Sequence, residues 1–308
     1  METSLRDHLM YAKYPTAFME NKWFGYDAFE KKTLTKLKPF EYQKKFLEFI
    51  HENKACIIAQ SRQMHVSSMI ALYLAWYAIF NDEKTILIIS SSMASSKKIL
   101  NSICFIIENY LLDKQGGFIS AERSTEITLI NGTRIIAKSD SVDAPRGFRS
   151  DIIYIDNAAY MKNLEDIFYA ASPTLWAGKD AKFIISSAPK NNSYFNKMFL
   201  ETNETSEFKP LRLTWQEHPV YSKDMQKEGD TDEYTSPWYE DKCKIIYSKE
   251  SIEQELDCVI RYNEKTNKSK LISLRLEQDV YNKIVEKITK DKNVSDYIRD
   301  LINKDLSN

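Results

Sequence analysis

Two side chains far apart in the chain are of the types that hold a divalent cation against phosphate. Ser67 stands in "QSRQMHVSSMIALYLAWYAIF" (Gln60 to Phe80), behind the apolar run "ACIIA". Asp156 closes a second apolar run, "IIYID". A hydroxyl after a loop and a carboxylate at a strand end are the pair that ligates Mg²⁺ in nucleoside-triphosphate chemistry. The segment before Ser67 has the layout of a phosphate-binding loop, whose pattern is G-x-x-x-x-G-K-[ST]. In that frame the second Gly falls on His65 and the Lys on Val66, and only Ser67 matches. Val66 supplies no charge. His65 is a weak substitute, mostly neutral with an unperturbed pKa of about 6.5, and it carries a Cβ where the loop wants none. Asn157 follows Asp156, where a carboxylate would polarise water, and an amide has no base function. Taken singly, "IIYIDN" also reads as a plain buried strand ending at an Asp-Asn turn.

The elements that must position these groups alternate along the chain. "FEYQKKFLEFI" puts Phe40, Phe46, Leu47 and Ile50 on one helical face. "ACIIAQ" reads as a buried strand, and an amphipathic helix follows from Ser67 through Ile79. "TILIIS" (85–90) is a second strand, with a helix from about Ser95 to Leu112. "EITLINGTRIIAKS" is a hairpin whose Asn131-Gly132 pair predicts a type I′ turn. Strands at 151–160, 181–189 and 208–215 alternate with helices at 163–171, 191–201 and 237–247. Short apolar strands between helices predict an α/β fold, a mainly parallel sheet covered on both faces. Residues 1–38 form a mixed, aromatic extension without a strong period.

Composition narrows the function classes. The chain has 308 residues, 43% hydrophobic and 28% charged, with a net charge of -1. No global field announces nucleic acid, so any DNA contact needs a local patch. Cys56, Cys104, Cys243 and Cys258 are widely spaced without a C-x-x-C pair, which predicts free thiols in a reducing cytosol rather than zinc. No metal site and no catalytic histidine are expected, since His8, His51, His65 and His218 lack ligand spacing. No run approaches the roughly 18 apolar residues of a membrane span, and the N-terminus lacks a signal-peptide pattern. A cytoplasmic protein without membrane contact is expected.

The motifs recur in a fixed order. Gln43 lies upstream in "FEYQ", the loop reads "SRQM", "DAPRGFRSDIIYIDNAAY" leads into the Asp156 strand, "IISSAP" follows, and "SIEQELDC" closes the domain. Together they resemble the ATPase domain of the large terminase subunits of tailed bacteriophages, over about residues 38–262. The resemblance implies a P-loop NTPase-like sheet at residues 39–262. It also implies an adenine-reading role for Gln43, loop roles for Ser61 and Arg62, Mg²⁺ ligation by Ser67 and Asp156, and a coupling segment at Ser186, Ser187, Ala188 and Pro189. His65, Val66 and Asn157 depart from the family at the chemistry itself. Losing the phosphate lysine and the catalytic carboxylate removes stabilisation of about several kcal/mol per group from the transition state. A pseudo-ATPase is therefore expected, with no cofactor required and weak ATP/Mg²⁺ binding left open. The family's nuclease domain does not fit the residues after Tyr262, so no DNA cleavage is expected.

After a polar linker at 263–270, "KLISLRLEQDVYNKIVEKITKDKNVSDYIRDLINKDL" changes character. Ile272, Leu274 and Leu276 alternate as a short strand, Val280, Ile284, Val285 and Ile288 follow helical spacing, and Ser295 is a good N-cap for a second helix. Residues 271–308 resemble the ribbon-helix-helix DNA-binding fold. The resemblance implies a homodimer whose paired strands enter the major groove of double-stranded DNA with Leu271, Ser273 and Arg275. Val294 and Ser295 would hold a phosphate at a helix N-terminus. A polar residue is more usual at Leu271, and the plain alternative is a dimerisation tail.

The fusion suggests an inactive terminase relative that binds DNA sequence-specifically and modulates or redirects phage or satellite packaging, with a phage terminase or portal as a candidate partner. The rival readings are a dominant-negative inhibitor of a phage motor, a transcriptional repressor, and an active ATPase with an unusual loop.

Overall fold

The computed structural model describes residues 5–26, 34–110, 118–173, 181–203, 205–227, 234–245, 248–263, 278–287, 294, 297–298 and 304. The chain divides into two compact units, residues 1–263 and 264–308.

Among the described residues, the first unit carries a two-stranded ribbon, β1 (Phe24–Tyr26) with β2 (Leu34–Lys36), and is built on an eight-stranded sheet. The sheet strands are β3 (Ala55–Gln60), β4 (Thr85–Ser90), β5 (Ile119–Arg123), β6 (Glu126–Leu129), β7 (Arg134–Ser139), β8 (Ile152–Asp156), β9 (Lys182–Ser187) and β10 (Phe208–Leu213). Their spatial order is β10-β3-β9-β8-β4-β7-β6-β5. Every pairing from β10 to β7 is parallel, and β7, β6 and β5 form an antiparallel meander at one edge. The mainly parallel α/β sheet expected from the sequence is present. Both faces are covered because alternate side chains feed two cores: Cys56 and Ile58 enter one, and Ala55, Ile57 and Ala59 the other.

Among the described residues, five helices precede or follow the first two sheet strands: α1 (Leu5–Lys13), α2 (Pro15–Lys22), α3 (Glu41–Glu52), α4 (Val66–Phe80) and α5 (Met93–Tyr110). Helix α4 departs from the amphipathic reading. All its residues from Met69 to Ile79 are buried. It lies against the sheet and against α2, α3 and α5, so beyond its first turn no face meets water. Its polar atoms are satisfied locally: Trp76 Nε1 donates to the Tyr11 carbonyl at 2.7 Å.

That contact comes from α1, within the extension where the sequence shows no period. The consecutive residues Phe18 and Met19 of α2 are both fully buried, so this part of the chain packs without a regular apolar stripe.

The hairpin forms, but not with the predicted turn. Leu129 and Thr133 close a three-residue loop, and the Gly132 N–H donates to the Leu129 carbonyl at 3.0 Å. Only Gly132 has positive φ, at 82°, whereas a type I′ turn needs it at both central residues. Asn131 instead points its amide at the end of α4, donating to the Ala78 and Asn81 carbonyls at 2.9 and 3.2 Å. Anchoring overrides the local turn preference.

At the start of β9, Lys182 Nζ donates to the carbonyls of Ile50, His51 and Asn53 at 3.0, 2.7 and 3.0 Å. These are groups that the end of α3 leaves without intrahelical partners. All four cysteines are free thiols, Cys56 and Cys258 fully buried.

In the second unit the described helix spans Gln278–Lys287, with Val280, Tyr281 and Val285 exposed on it. Val294 is helical and half-buried. Leu271, Ser273, Arg275 and Ser295, and the predicted ribbon strand itself, lie outside the described residues.

Candidate functional site

The parallel strands all end on the same edge of the sheet, where open α/β sheets bind ligands. The register aligns Ser90 of β4 with Asp156 of β8, and Asp156 with Ser186 of β9. The loop from β3 to α4 runs along this edge. Residues 61–68, with Gln60, Ser91, Lys98, Asn157, Tyr160 and Ala188, line an open cleft of about 690 Å³.

The loop keeps its shape with two left-handed residues, Gln63 at φ 66° and His65 at φ 58°. His65 thus takes the glycine-favouring conformation that the phosphate-loop pattern asks for, with a side chain attached. Two tyrosine hydroxyls hold the peptide between them. Tyr42 donates to the Met64 carbonyl and Tyr221 to the Gln63 carbonyl, each at 3.2 Å. Val66 is buried in the apolar core beneath the loop, so the position of the expected lysine has become packing.

The other side of the loop is strapped by the end of the domain. Ser61 Oγ donates to the Leu256 carbonyl, and the Arg62 N–H to the Glu255 carbonyl at 2.8 Å. The Arg62 guanidinium pairs with the Glu255 carboxylate, which also accepts from Tyr160 Oη at 3.2 Å. The segment read only as closing the domain therefore fixes both Ser61 and Arg62.

Behind the cleft, Ser67 Oγ donates to Asp156 Oδ1 at 2.8 Å. Tyr154 Oη donates to the same oxygen at 2.8 Å. The other oxygen, Oδ2, accepts from Asn157 Nδ2 at 2.8 Å and from Ser90 Oγ at 3.2 Å. A carboxylate offers about four lone-pair positions, and here four donors occupy them. Burial pushes the Asp156 pKa above its ordinary value, and the hydrogen bonds oppose that rise. Tyr154 also meets Ser186 Oγ at 3.0 Å, linking the carboxylate to the end of β9. Ser187 Oγ accepts from the Ala159 N–H at 3.0 Å. Asn157 is itself left-handed, at φ 54°, which is why its amide folds back over Asp156.

Of the sequence-identified residues, Ser61, Arg62, His65, Val66, Ser67 and Asn157 line the cleft, with Asp156 directly behind Ser67. Gln43 does not line it. Its Oε1 accepts from the Phe40 N–H at 2.9 Å and its Nε2 faces Tyr42 Oη at 3.4 Å, so both ends of the amide serve the start of α3. Ser67 and Asp156 could hold a cation only if the donors on Asp156 gave way. Among the described residues, no group of three or more His, Cys, Asp and Glu could hold a metal ion, and no helix is long and apolar enough to cross a membrane.

Ser90, Tyr154, Glu255 and Lys98 were not picked out by sequence reasoning. Tyr154 had a signal, because strand alternation places it on the face of Asp156 two residues on. Glu255 and Lys98 had none, because only the packing of distant segments brings them to the loop.

Residues 40–273 match the family described as the terminase large subunit, T4likevirus-type, N-terminal. Among solved structures, the chain resembles the large terminase ATPase domain of Thermus phage P74-26. The TM-score is 0.57 at 16% identity, over 72% of this chain and 94% of that one. It resembles the HK97 bacteriophage large terminase with a TM-score of 0.61 at 13% identity, over 80% of this chain and 54% of the other. The large terminase of a thermophilic bacteriophage in complex with ADP gives 0.54 at 14% identity, over 72% and 54%. The chain thus spans about half the length of these last two proteins.

Proposed function

The chain belongs to the T4-type terminase large-subunit N-terminal family, and from that premise we propose that it takes part in phage DNA packaging without hydrolysing ATP. In this reading it binds double-stranded DNA sequence-specifically through its C-terminal residues, as a homodimer. It modulates or redirects the packaging of phage or satellite DNA in the cytoplasm of an infected or lysogenic bacterial host. The ribbon residues Leu271, Ser273 and Arg275 read bases, and Val294 and Ser295 hold phosphate. A phage terminase or portal is the protein partner.

The observation that supports the loss of turnover is the environment of Asp156. Its four acceptor positions are filled by Ser67, Tyr154, Ser90 and Asn157, and the last of these stands where a catalytic carboxylate would polarise water. With Val66 buried as well, the described residues of the cleft supply neither the usual loop lysine nor a carboxylate beside Asp156 to polarise water. A dominant-negative inhibitor of a phage motor is the second reading, favoured by the retention of the whole sheet and loop scaffold without that chemistry.

The test has three arms on the full chain. Steady-state ATP turnover is measured with and without DNA, and robust hydrolysis abolished by Asp156→Ala overturns the inactive reading. Selection of bound duplexes from a random pool is expected to enrich one sequence class, and a random outcome removes sequence specificity. Pull-down from phage-infected cells is expected to recover a terminase or portal, and recovery of neither overturns the packaging role.

A further inference from the structure

Lys98 lies in the second turn of α5, remote in sequence from the loop, yet it lines the loop cleft. It also lines a neighbouring cleft of about 680 Å³ with Trp23, Lys97 and Phe105, and His65 and Ser68 are shared between the two. Lys98 is exposed, and among the described residues its ammonium has no hydrogen bond or ion pair.

The other charge-bearing candidates in the loop cleft are not available in the same way. Arg62 is held by Glu255. His65 is exposed overall, but neighbouring atoms displace water from part of its ring and lower its pKa, so it is neutral at neutral pH. Among the described residues, no Asp or Glu lines the cleft. Ser68 and Ser91 line the same space.

We propose that Lys98 is the phosphate-binding cation of this cleft, replacing from α5 the charge that Val66 removes from the loop, and that the cleft binds the polyphosphate of a nucleotide. This rests on reading the cleft as a nucleotide site that lacks turnover. An ammonium at the wall of a cleft whose described lining carries no carboxylate attracts polyphosphate as a point charge, without the loop geometry that directs charge onto the transferred phosphoryl group. Binding and hydrolysis are thereby separated: charge is present for the ground state, while the groups that favour the transition state are missing. Affinity should follow the number of phosphate charges more than the base, because both ends of the Gln43 amide are engaged within the protein.

Isothermal titration of the full chain with ATP, ADP, AMP and inorganic tripolyphosphate tests this. ATP and tripolyphosphate are expected to bind, ADP more weakly, and AMP least. Lys98→Ala should weaken ATP binding by about tenfold or more, as expected for loss of a charge-assisted contact, and Lys98→Arg should retain most of it. Lys244→Ala, at a surface lysine paired with Asp241, serves as the control and should bind as the parent does. Thermal melting of each variant checks that the fold is intact. No ATP binding by the parent, or equal binding by Lys98→Ala, overturns the proposal. So does a Lys98→Ala defect confined to duplex DNA with ATP binding unchanged. Tripolyphosphate binding as tight as ATP assigns the site to polyphosphate at large, and tighter ATP assigns it to the nucleotide; either supports the Lys98 role. Turnover measured in the same samples would overturn the non-hydrolysing reading and leave the Lys98 result standing.

Discussion

Ser67 Oγ and Asp156 Oδ1 lie 2.8 Å apart as hydrogen-bond donor and acceptor, so the two residues best suited to share a cation are bonded to each other. The contact joins the first turn of α4 to the end of β8 and makes the pair part of the scaffold.

Because the pair is structural, Ser67→Ala should destabilise the protein by about 1.5–3 kcal/mol, the usual range for a hydrogen bond to a charged group. Adding millimolar Mg²⁺ or EDTA should leave the thermal midpoint of the parent unchanged. Calorimetry reads both, and a Mg²⁺-dependent rise in the midpoint would show that Asp156 releases its donors to a metal.

His65 and the loop backbone predict opposite effects for two substitutions. His65→Gly removes a left-handed penalty of about 1–2 kcal/mol and adds about 0.5–1 kcal/mol of chain entropy, for a small net gain. His65→Val, β-branched at φ 58°, should lose stability. Urea midpoints at neutral pH distinguish the two.

His218 should make the domain acid-sensitive. Its ring is buried, stacks on Tyr221 at 3.6 Å between centroids, and accepts from the Val220 N–H at 3.3 Å, which requires the neutral form. Burial first, then the nearby His65, lowers its pKa from 6.5 to about 4. A base with a depressed folded pKa lends stability that is complete above the unfolded value and lost as pH falls towards the folded one. The window is therefore from 6.5 down to about 4. The loss is at most about 3 kcal/mol, and His218→Phe should flatten it relative to the parent. Denaturation curves across that range, compared between the two proteins, isolate this contribution from the carboxylates.

Asn131→Ala should cost about 1–3 kcal/mol, because it strips three hydrogen bonds from a half-buried junction, two to the end of α4 and one from Thr133. The Thr133 N–H then loses its partner, so hydrogen exchange at Thr133 should rise well before global unfolding.

At the start of β9, Lys182→Met should lower stability by about 1–2 kcal/mol by uncapping α3. The strand ends of the candidate site are untouched, so binding to the loop cleft should be unchanged. A combined melting and ATP-titration measurement checks both halves of that statement.

The sequence by itself determined the parallel strands of the sheet domain and the helices that alternate with them, but not the edge strand β5 or the helices α1 and α2. Apolar runs of strand length admit few alternatives, and each strand from Ala55 to Leu213 in the parallel part falls where its run predicts. It also located Ser67, Asp156 and Asn157, because their types stand out at the ends of those runs. The tertiary structure alone decided the rest. The burial of α4 on every side depends on α1 and α2, whose packing leaves no periodic trace. The turn at Gly132 follows from Asn131 reaching α4, a partner about fifty residues away that local turn propensity does not register. The strapping of Ser61 and Arg62 by Glu255 and Leu256, the four donors on Asp156, and the arrival of Lys98 at the cleft all join segments remote in the chain. Residue type and local period are written in the sequence one neighbourhood at a time; which side chains share a hydrogen bond or a cleft is set by the sheet's strand order, which brings together the ends of strands that the chain keeps far apart.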